Sequence, residues 1–404
     1  MKILVLNSGS STQKTALFEL GPHPSDQPAT PLWEGKLEWD GEKETLAVKY
    51  ADGKKFTEAG VQAKDRRSSL EKMLQKLWQP PTQTINDGSE VAVIGHRIVH
   101  GGQNLYQPTI VTPKVKQAIA DVSAIAPLHN KAGLEGIEIA EKLFPGKPQV
   151  AVFDTGFHRT MPPYAAVYPG PYEWFERGIR RYGFHGINHE YCAHRTARML
   201  GREISSLKTI TCHLGNGCSL AAIDAGKSVD TTMGFTPLEG VMMGTRGGSI
   251  DPGILLHLMR ADHASADQLD DMLNRGSGLL GISGVSSDMR DVLEAASKNN
   301  GRAKLAFNIF VHRLQTGIAA MAASLGGVDA IVFTAGIGEN SAEVRLATCV
   351  RLGFLGVQID EGKNSLAKPD VEISTAKSAV RVLVIRAQED WSIARECARL
   401  APTA

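Results

Sequence analysis

Apolar residues recur at helical spacing over 63–78 (AKDRRSSLEKMLQKLW), 130–144 (NKAGLEGIEIAEKLF), 188–200, 301–325 and 390–400. They form short continuous runs at 3–7, 91–94, 149–153, 209–213, 329–333 and 380–385, the pattern of buried strands. Alternation of the two periods predicts an α/β architecture. The stretches GPHPSDQPATP (21–31) and QPPTQTINDGSE (79–90) read as exposed loops within a domain. A chain of 404 residues predicts two domains. The composition around QVAVFDTG (149–156) and RVLVIRAQED (381–390) sets their limits at residues 1–150 plus 386–404, closed by the last helix, and 151–385.

One strand pattern appears twice. ILVLNSGSSTQK (3–14) runs from an apolar strand into a turn of small residues, and TALFEL (15–20) comes next as a second strand. TITCHLGNGCSLAAI (209–223) repeats the arrangement. An offset of 208 sets Asn7 against Gly215, Gly9 against Gly217 and Ser11 against Ser219. The first turn does not satisfy G-x-x-x-x-G-K-[ST], so it is not a P-loop. A strand–turn–strand loop has no helix dipole to offer a phosphate; it must use successive backbone N–H groups and hydroxyls. Two ordinary β-hairpins would read the same way singly. Their recurrence half a chain apart favours a duplicated nucleotide-binding fold. A third segment, DAIVFTAGIGENS (329–341), reads as strand, glycine turn and helix with Ser341 as N-cap. Its glycines would let a flat ring lie against backbone, or it is a plain βα turn.

Charge narrows the partners. The net charge is +1, with no basic stripe interleaved with aromatics, which argues against nucleic acid. The five cysteines are odd in number and form no C-x-x-C, so buried reduced thiols in a cytoplasmic protein are expected. The opening apolar run is too short for a signal peptide, and no stretch approaches the ~18 apolar residues of a membrane span.

Candidate chemistry is scattered along the chain. GHRIVHGG (95–102) holds Arg97 in an apolar segment, where it must meet an anion or an acid partner. Asp154 in VFDTGFHRTMPP comes directly after a strand, a common place for a catalytic or metal-holding carboxylate, though Asp also favours turns. RRYGFHGINHEYCAHR (180–195) spaces His189-Glu190 and His194 wrongly for H-E-x-x-H, which excludes a zincin. His185, between two glycines, is a candidate ligand donor; His189 and His194 read as structural or solvent-facing. Arg246 sits in the glycine-rich PLEGVMMGTRGGSIDPG (237–253), suited to a mobile phosphate clamp or simply exposed. Glu389 and Asp390 open the last helix, where acids also favour the helix dipole.

The order of these motifs is more specific than any one of them. NSGSSTQK, GHRIVHGG, APLHN, VFDTGFHRTMPPYA, RYGFHG, HLGNGCS, TRGGSIDP, FTAGIGENS and the closing Q-E-D-W helix span residues 5 to 396. Together they resemble the acetate kinases, the acetokinase family of the acetate and sugar kinase/Hsp70/actin superfamily. The resemblance implies two duplicated actin-like (ribonuclease H-like) domains with an ATP cleft between them. It implies reversible transfer of the ATP γ-phosphoryl to acetate, giving acetyl phosphate and ADP, with Mg²⁺ or Mn²⁺ as cofactor, in a cytoplasmic homodimer whose second domain carries the dimer surface.

By that resemblance Asp154 and Glu389 would hold the metal, largely through waters, with Asn7 beside it. Arg97 and Arg246 would bind the carboxylate and the phosphoryl in flight, and His185 would donate to an equatorial oxygen. A carboxylate is already ionised at pH 7 and needs no general base, which fits the lack of any Ser–His or Cys–His nucleophile. Val99, Leu128, Phe184 and Pro237 would line the pocket for the substrate methyl. On the ATP side the resemblance implies Ser10, Thr12 and Lys14 at the phosphates, and His213, Leu214, Gly215, Asn216 and Gly217 at the β/γ end. Asp288, Met289 and Arg290 with Gly336, Ile337, Gly338, Glu339 and Asn340 would surround the nucleoside. The Arg246 loop departs from the family's usual T-R-S-G-D-I-D-P at Gly247 and Ser249. Two readings compete: a propionate or other short-chain acyl kinase, and a non-kinase actin- or Hsp70-like ATP switch, which leaves Arg97, Arg246 and His185 without a role.

Overall fold

Two mixed sheets organise the chain in a computed structural model that describes residues 1–9, 12–21, 23–40, 43–62, 65–124 and 127–401. The first contains β1 (Lys2–Ser8), β2 (Thr12–Glu19), β3 (Trp33–Asp40), β4 (Lys43–Tyr50), β5 (Lys55–Gln62), β6 (Val91–Ile98), β7 (Thr109–Ile110) and β8 (Gln149–Phe153). Their order is β5-β4-β3-β2-β1-β6-β8-β7. The second contains β9 (Lys208–Leu214), β10 (Cys218–Asp224), β11 (Lys227–Thr231), β12 (Ala330–Thr334), β13 (Val371–Glu372) and β14 (Arg381–Val384), ordered β11-β10-β9-β12-β14-β13.

Six strands of the first sheet match the second in order and direction. β1 and β9 each pair antiparallel with the next strand and parallel with β6 and β12 respectively. β8 and β14 add in parallel, and β7 and β13 close the edge antiparallel. The duplication is therefore real, but its register differs from the sequence alignment. Lys2 corresponds to Lys208 and Asn7 to His213, an offset of 206. The turns differ as well: Ser8 pairs with Gln13, leaving four residues between them, while Leu214 pairs with Cys218, leaving three. The Gly9 and Gly215 N–H groups close the two turns onto the carbonyls of Thr12 and Gly217, so Gly9 matches the first glycine of the later turn, not the second.

The chain divides into Met1–Gly156 with Gln388–Ala404, and Phe157–Ala387. The limits fall later than the 150/151 and 385/386 expected from the sequence. β8 pairs with β6 from Gln149 to Phe153, which keeps it in the first unit. Past β14, the Ile385 N–H donates to the Phe333 carbonyl at 3.0 Å and the Ala387 N–H to Glu339 Oε1 at 2.8 Å, which keeps these residues in the second.

β1, β8, β9 and β12 are buried on both faces, as strands in the middle of a covered sheet are. In the first unit the helix Glu389–Leu400 lies on β1 and β6 through Trp391, Ile393, Ala394 and Cys397. Gly95 permits that approach, since a Cβ there would stand 2.5 Å from Cys397 Sγ and 2.6 Å from Ile393 Cγ2. The meander β3–β4–β5 packs on the helix Arg66–Gln75 around Trp33, Leu37, Leu46, Val48, Leu70 and Met73. In the second unit the helix Gly301–Leu325 covers β10. Asn300 caps its start by accepting from the Ala303 N–H at 3.0 Å, and Gly326 at φ +62° ends it. All five cysteines are buried, and none is in a disulfide among the described residues.

Candidate functional site

In the first unit, strand ends gather a charged cluster. Asn7 lies near the end of β1, Arg97 near the end of β6, Asp154 just past β8, and Glu389 and Asp390 in the first turn of the last helix. Arg97 Nη2 donates to Asp154 Oδ2 at 2.6 Å, with Asp154 fully buried. Asn7 Nδ2 donates to Glu389 Oε2 at 3.0 Å and Asp390 Oδ1 at 2.7 Å, and its Oδ1 accepts from Arg97 Nη1 at 3.5 Å. Burial alone would depress the Arg97 pKa, but Asp154, Glu389 and Asp390 outweigh it and raise it above the ordinary arginine value. Asp390 is pushed up by burial, against the pull of Lys14 and Asn7. The buried Nε of Arg97 has no hydrogen-bond partner among the described residues. A mostly enclosed guanidinium with an unspent donor has hydrogen-bonding capacity left over.

The second unit gathers a different set. His185 precedes the helix Gly186–Met199 in a left-handed conformation, φ +57°. Its Nδ1 lies 2.8 Å from Ser219 Oγ, and its ring stacks on His213 at 3.9 Å and 6°. Asn188 Nδ2 donates to His213 Nδ1 at 2.9 Å, which leaves the His213 proton on Nε2. Arg246 Nη1 donates to the Pro237 carbonyl at 2.8 Å. A Cβ on Gly217 would stand 2.8 Å from Arg246 Nη2 and 3.4 Å from His185 Cε1 and Nε2, so this glycine lets the second turn, the arginine and the imidazole edge meet.

The Arg246 loop, expected to be mobile, is fastened at several points. The Arg246 carbonyl accepts from the Met243 N–H at 2.9 Å, and Thr245 Oγ1 donates to the Asn274 carbonyl at 2.7 Å. Ser249 donates its N–H to the Gly240 carbonyl at 2.8 Å and accepts the Gly240 N–H on Oγ at 3.1 Å. That hydroxyl can serve where the family has a carboxylate, which explains how the loop keeps its place with Ser249.

The remaining expected residues divide similarly. Thr12 and Lys14 open β2, with exposed Lys14 paired against Asn7, while Ser10 lies outside the described residues. Asn216 packs against Gly244, whose Cβ position is 3.1 Å from the Ser287 carbonyl, next to Asp288. Asp288 caps the helix Met289–Ser297 and pairs with exposed Arg290 at 2.5 Å. The expected glycine turn at 336–340 is instead one helical turn, Ala335–Asn340, before Ser341 caps the helix Ala342–Val350. Glu339 Oε1 accepts the Ala335 N–H at 3.0 Å. Val99 and Phe184 are buried and Pro237 half-buried; the Leu128 side chain lies outside the described residues.

Several contributors carry no signal in the sequence. Buried Arg345 donates from Nη1 to the carbonyls of Gly338 and Glu339, both at 2.9 Å, and fixes that turn. Arg66 Nη2 donates to the Gly9 carbonyl at 2.9 Å, with its guanidinium 4.7 Å from the Trp39 ring centre. His189, read as structural or solvent-facing, is fully buried. Neither arginine lies in a motif with a readable spacing.

The strand order shared by the two sheets, each led by a strand that ends in a glycine turn, defines a duplicated actin-like α/β protein. The chain belongs to the acetokinase family, whose model matches residues 2–395, and is a kinase with a carboxyl group as phosphoryl acceptor. Acetate kinase of Cyanothece sp. is 55% identical over 405 residues, covering 100% of this chain and 99% of that one. Acetate kinase of Nostoc sp. is 55% identical over 403 residues, with 98% of each chain covered. The solved acetate kinase of Porphyromonas gingivalis superposes with a TM-score of 0.88 at 38% identity, covering 97% of this chain and 98% of that one. A propionate kinase from Francisella tularensis matches at 0.88 and 39%, with 98% of each chain covered.

Proposed function

We propose that the acceptor is acetate and the donor ATP, with direct, reversible in-line transfer giving acetyl phosphate and ADP. The observation that carries this reading is Arg97: a buried guanidinium, held by Asp154 and Asn7, with its Nε unspent. Such a group suits a small carboxylate far better than a structural ion pair alone. The names of relatives 55% identical over nearly full length support acetate as that carboxylate.

The donor set fits a hard cation. Asp154, Glu389 and Asn7 offer carboxylate and amide oxygens, the ligands Mg²⁺ or Mn²⁺ prefers. Among the described residues no three His, Cys, Asp or Glu side chains are grouped to hold a metal directly, so Asp154 and Glu389 would hold it through waters. Bound there, the ion would neutralise charge on phosphate oxygens as a Lewis acid. Arg97 orients the acetate oxygens, which need no base at pH 7. Arg246, anchored on Pro237, places Nη2 beside Gly217 to meet charge on the transferring phosphoryl, and His185 donates from the same quarter. The turn from Gly215 to Gly217, with His213, takes the β/γ end of ATP, and the first turn, with Thr12 and Lys14, takes the neighbouring phosphates. Asp288–Arg290 and Gly336–Asn340 border the nucleoside.

Acyl size rests on Val99, Phe184, Pro237 and Leu128. One methylene in an apolar pocket discriminates by about 1–3 kcal/mol, so propionate is a weaker substrate. The Francisella tularensis propionate kinase makes propionate the second reading. We further propose a cytoplasmic homodimer. The helix Pro252–Ala261 carries Ile254, Leu256 and Met259 yet buries no residue in the single chain, which leaves an apolar surface for a second copy.

The test is acyl phosphate formed from Mg-ATP with acetate, propionate or butyrate, trapped as the hydroxamate and compared by kcat/KM. The expected order is acetate, propionate, butyrate. A longer acid in the lead moves the pocket assignment to the second reading. ATP binding with no acyl phosphate from any acid would overturn the kinase mechanism.

A further inference from the structure

Ser219 on β10 is fully buried and stands between two imidazoles. Its Oγ is 2.8 Å from His185 Nδ1 and 2.8 Å from His189 Nε2. His189 Nδ1 lies 2.6 Å from Thr211 Oγ1 on β9, and both residues are fully buried. The four side chains form one line, His185–Ser219–His189–Thr211, that ends at the imidazole edge facing Gly217 and Arg246. A hydroxyl has one proton, so between two ring nitrogens Ser219 donates to one and accepts from the other.

We infer that Ser219 and His189 are positioning residues that fix the His185 tautomer, so that Nε2–H of His185 faces Gly217 and Arg246. This rests on the reading of His185 as a phosphoryl donor given above. With Thr211 O–H donating to His189 Nδ1, His189 Nε2–H donates to Ser219 and Ser219 O–H donates to His185 Nδ1. Neutral His185 then carries its single proton on Nε2. Reversing the line places a proton on His185 Nδ1 as well, with His189 donating from Nδ1 to Thr211. The net change is one proton gained from solvent, and Nε2–H of His185 is unaltered. The shared hydroxyl thus lets His185 present the same donor as imidazole or imidazolium.

The surroundings hold His189 to one proton. Burial, with His158 and His213 nearby, keeps it well below the usual histidine range. His158 faces it at 5.6 Å between ring centres and is itself pinned between Ser228 Oγ at 2.8 Å and the Phe184 carbonyl at 3.0 Å. His213 stacks on His185 and lies 6.1 Å from His189. Arg246 also faces the His185 edge, across Gly217.

The test is nitrogen NMR of histidine-labelled full-length protein, which reads each ring nitrogen as protonated or bare, alongside kinetics. At alkaline pH, with the ring neutral, the wild type shows His185 with Nε2 protonated and Nδ1 bare. Ser219→Ala mixes the tautomers and lowers kcat at least tenfold, with KM for acetate and ATP within threefold of wild type. Ser219→Thr, which keeps the hydroxyl, restores both. A bare Nε2 in the wild type overturns the inference, and so does an unchanged spectrum with unchanged kcat in Ser219→Ala. The wild-type spectrum decides even if a variant does not fold. His185→Ala tests the underlying role separately: removing one such donor costs about 10²–10³ in kcat, and an undiminished rate would sink the donor reading while the NMR still judged the relay.

Discussion

Replacing Arg97 with Met tests the first cluster most directly. Asp154 is fully buried and its Oδ2 is 2.6 Å from the Arg97 guanidinium. Removing one partner of a buried ion pair costs about 3–5 kcal/mol. Urea unfolding at pH 7.5 measures the difference from wild type. Trp33, Trp39, Trp78 and Trp391 all lie in the first unit and report its transition. Arg97→Met/Asp154→Asn removes both charges and should regain most of the lost stability. Both variants should still lose about 10³-fold in kcat, by analogy with arginine fingers. A deficit under about 1 kcal/mol, or a double variant no more stable than the single, refutes the argument.

Three further outcomes are expected. Arg246→Ala should lower kcat by about 10³-fold, since its Nη2 stands free of the Pro237 anchor; a loss under tenfold removes it from the mechanism. Gly217→Ala would bring a methyl within 2.8 Å of Arg246 Nη2 and displace it, so kcat should fall at least tenfold while ATP binding by calorimetry persists; unchanged kcat rejects the arrangement. Burial lowers His96, against the pull of Gln149, and His100, both to about 4. The unfolded chain therefore takes up more protons between about pH 6.5 and 4. The stability from these two groups is complete above that window and falls through it, by up to about 3 kcal/mol each. A thermal midpoint that drops from pH 7.5 to pH 5 agrees, and one that rises does not.

The sequence exposes strand ends far better than side-chain partners. β1, β8, β9 and β12 are legible because burial on both faces makes them unbroken apolar runs. The β3–β4–β5 meander escapes that reading although Trp33, Gly35 and Leu37 alternate inward with Glu34, Lys36 and Glu38. Alternation over eight residues is a weaker signal than a long helical period, and the charged outward residues dilute it. Arg97, Asp154 and Asn7 can each be suspected singly, but their meeting depends on the parallel order β1-β6-β8, which brings together residues 147 positions apart. Arg345 cannot be picked out, because a buried arginine that binds carbonyls looks like any helical arginine; Ser219 shows only as the repeat partner of Ser11, with no sign of the two imidazoles it joins.

The duplication explains why one fold can serve two opposite electrostatic tasks. Asn7 and His213 occupy the same register position, one residue before the end of the leading strand. Around Asn7 the neighbouring elements supply Asp154, Glu389 and Asp390, with Arg97 as the cation between them. Around His213 they supply His185, Asn188 and, across Gly217, Arg246, a set of nitrogen donors. A carboxylate-rich strand end suits a hydrated cation, and a set of N–H donors suits phosphate oxygens. The residue just past β8 and its counterparts just past β14 differ in kind. In the first unit that residue is Asp154, and in the second the chain continues with Ile385 and Arg386. The two leading strands keep one register while the side chains gathered at their ends differ in sign, carboxylates beside Asn7 and nitrogen donors beside His213.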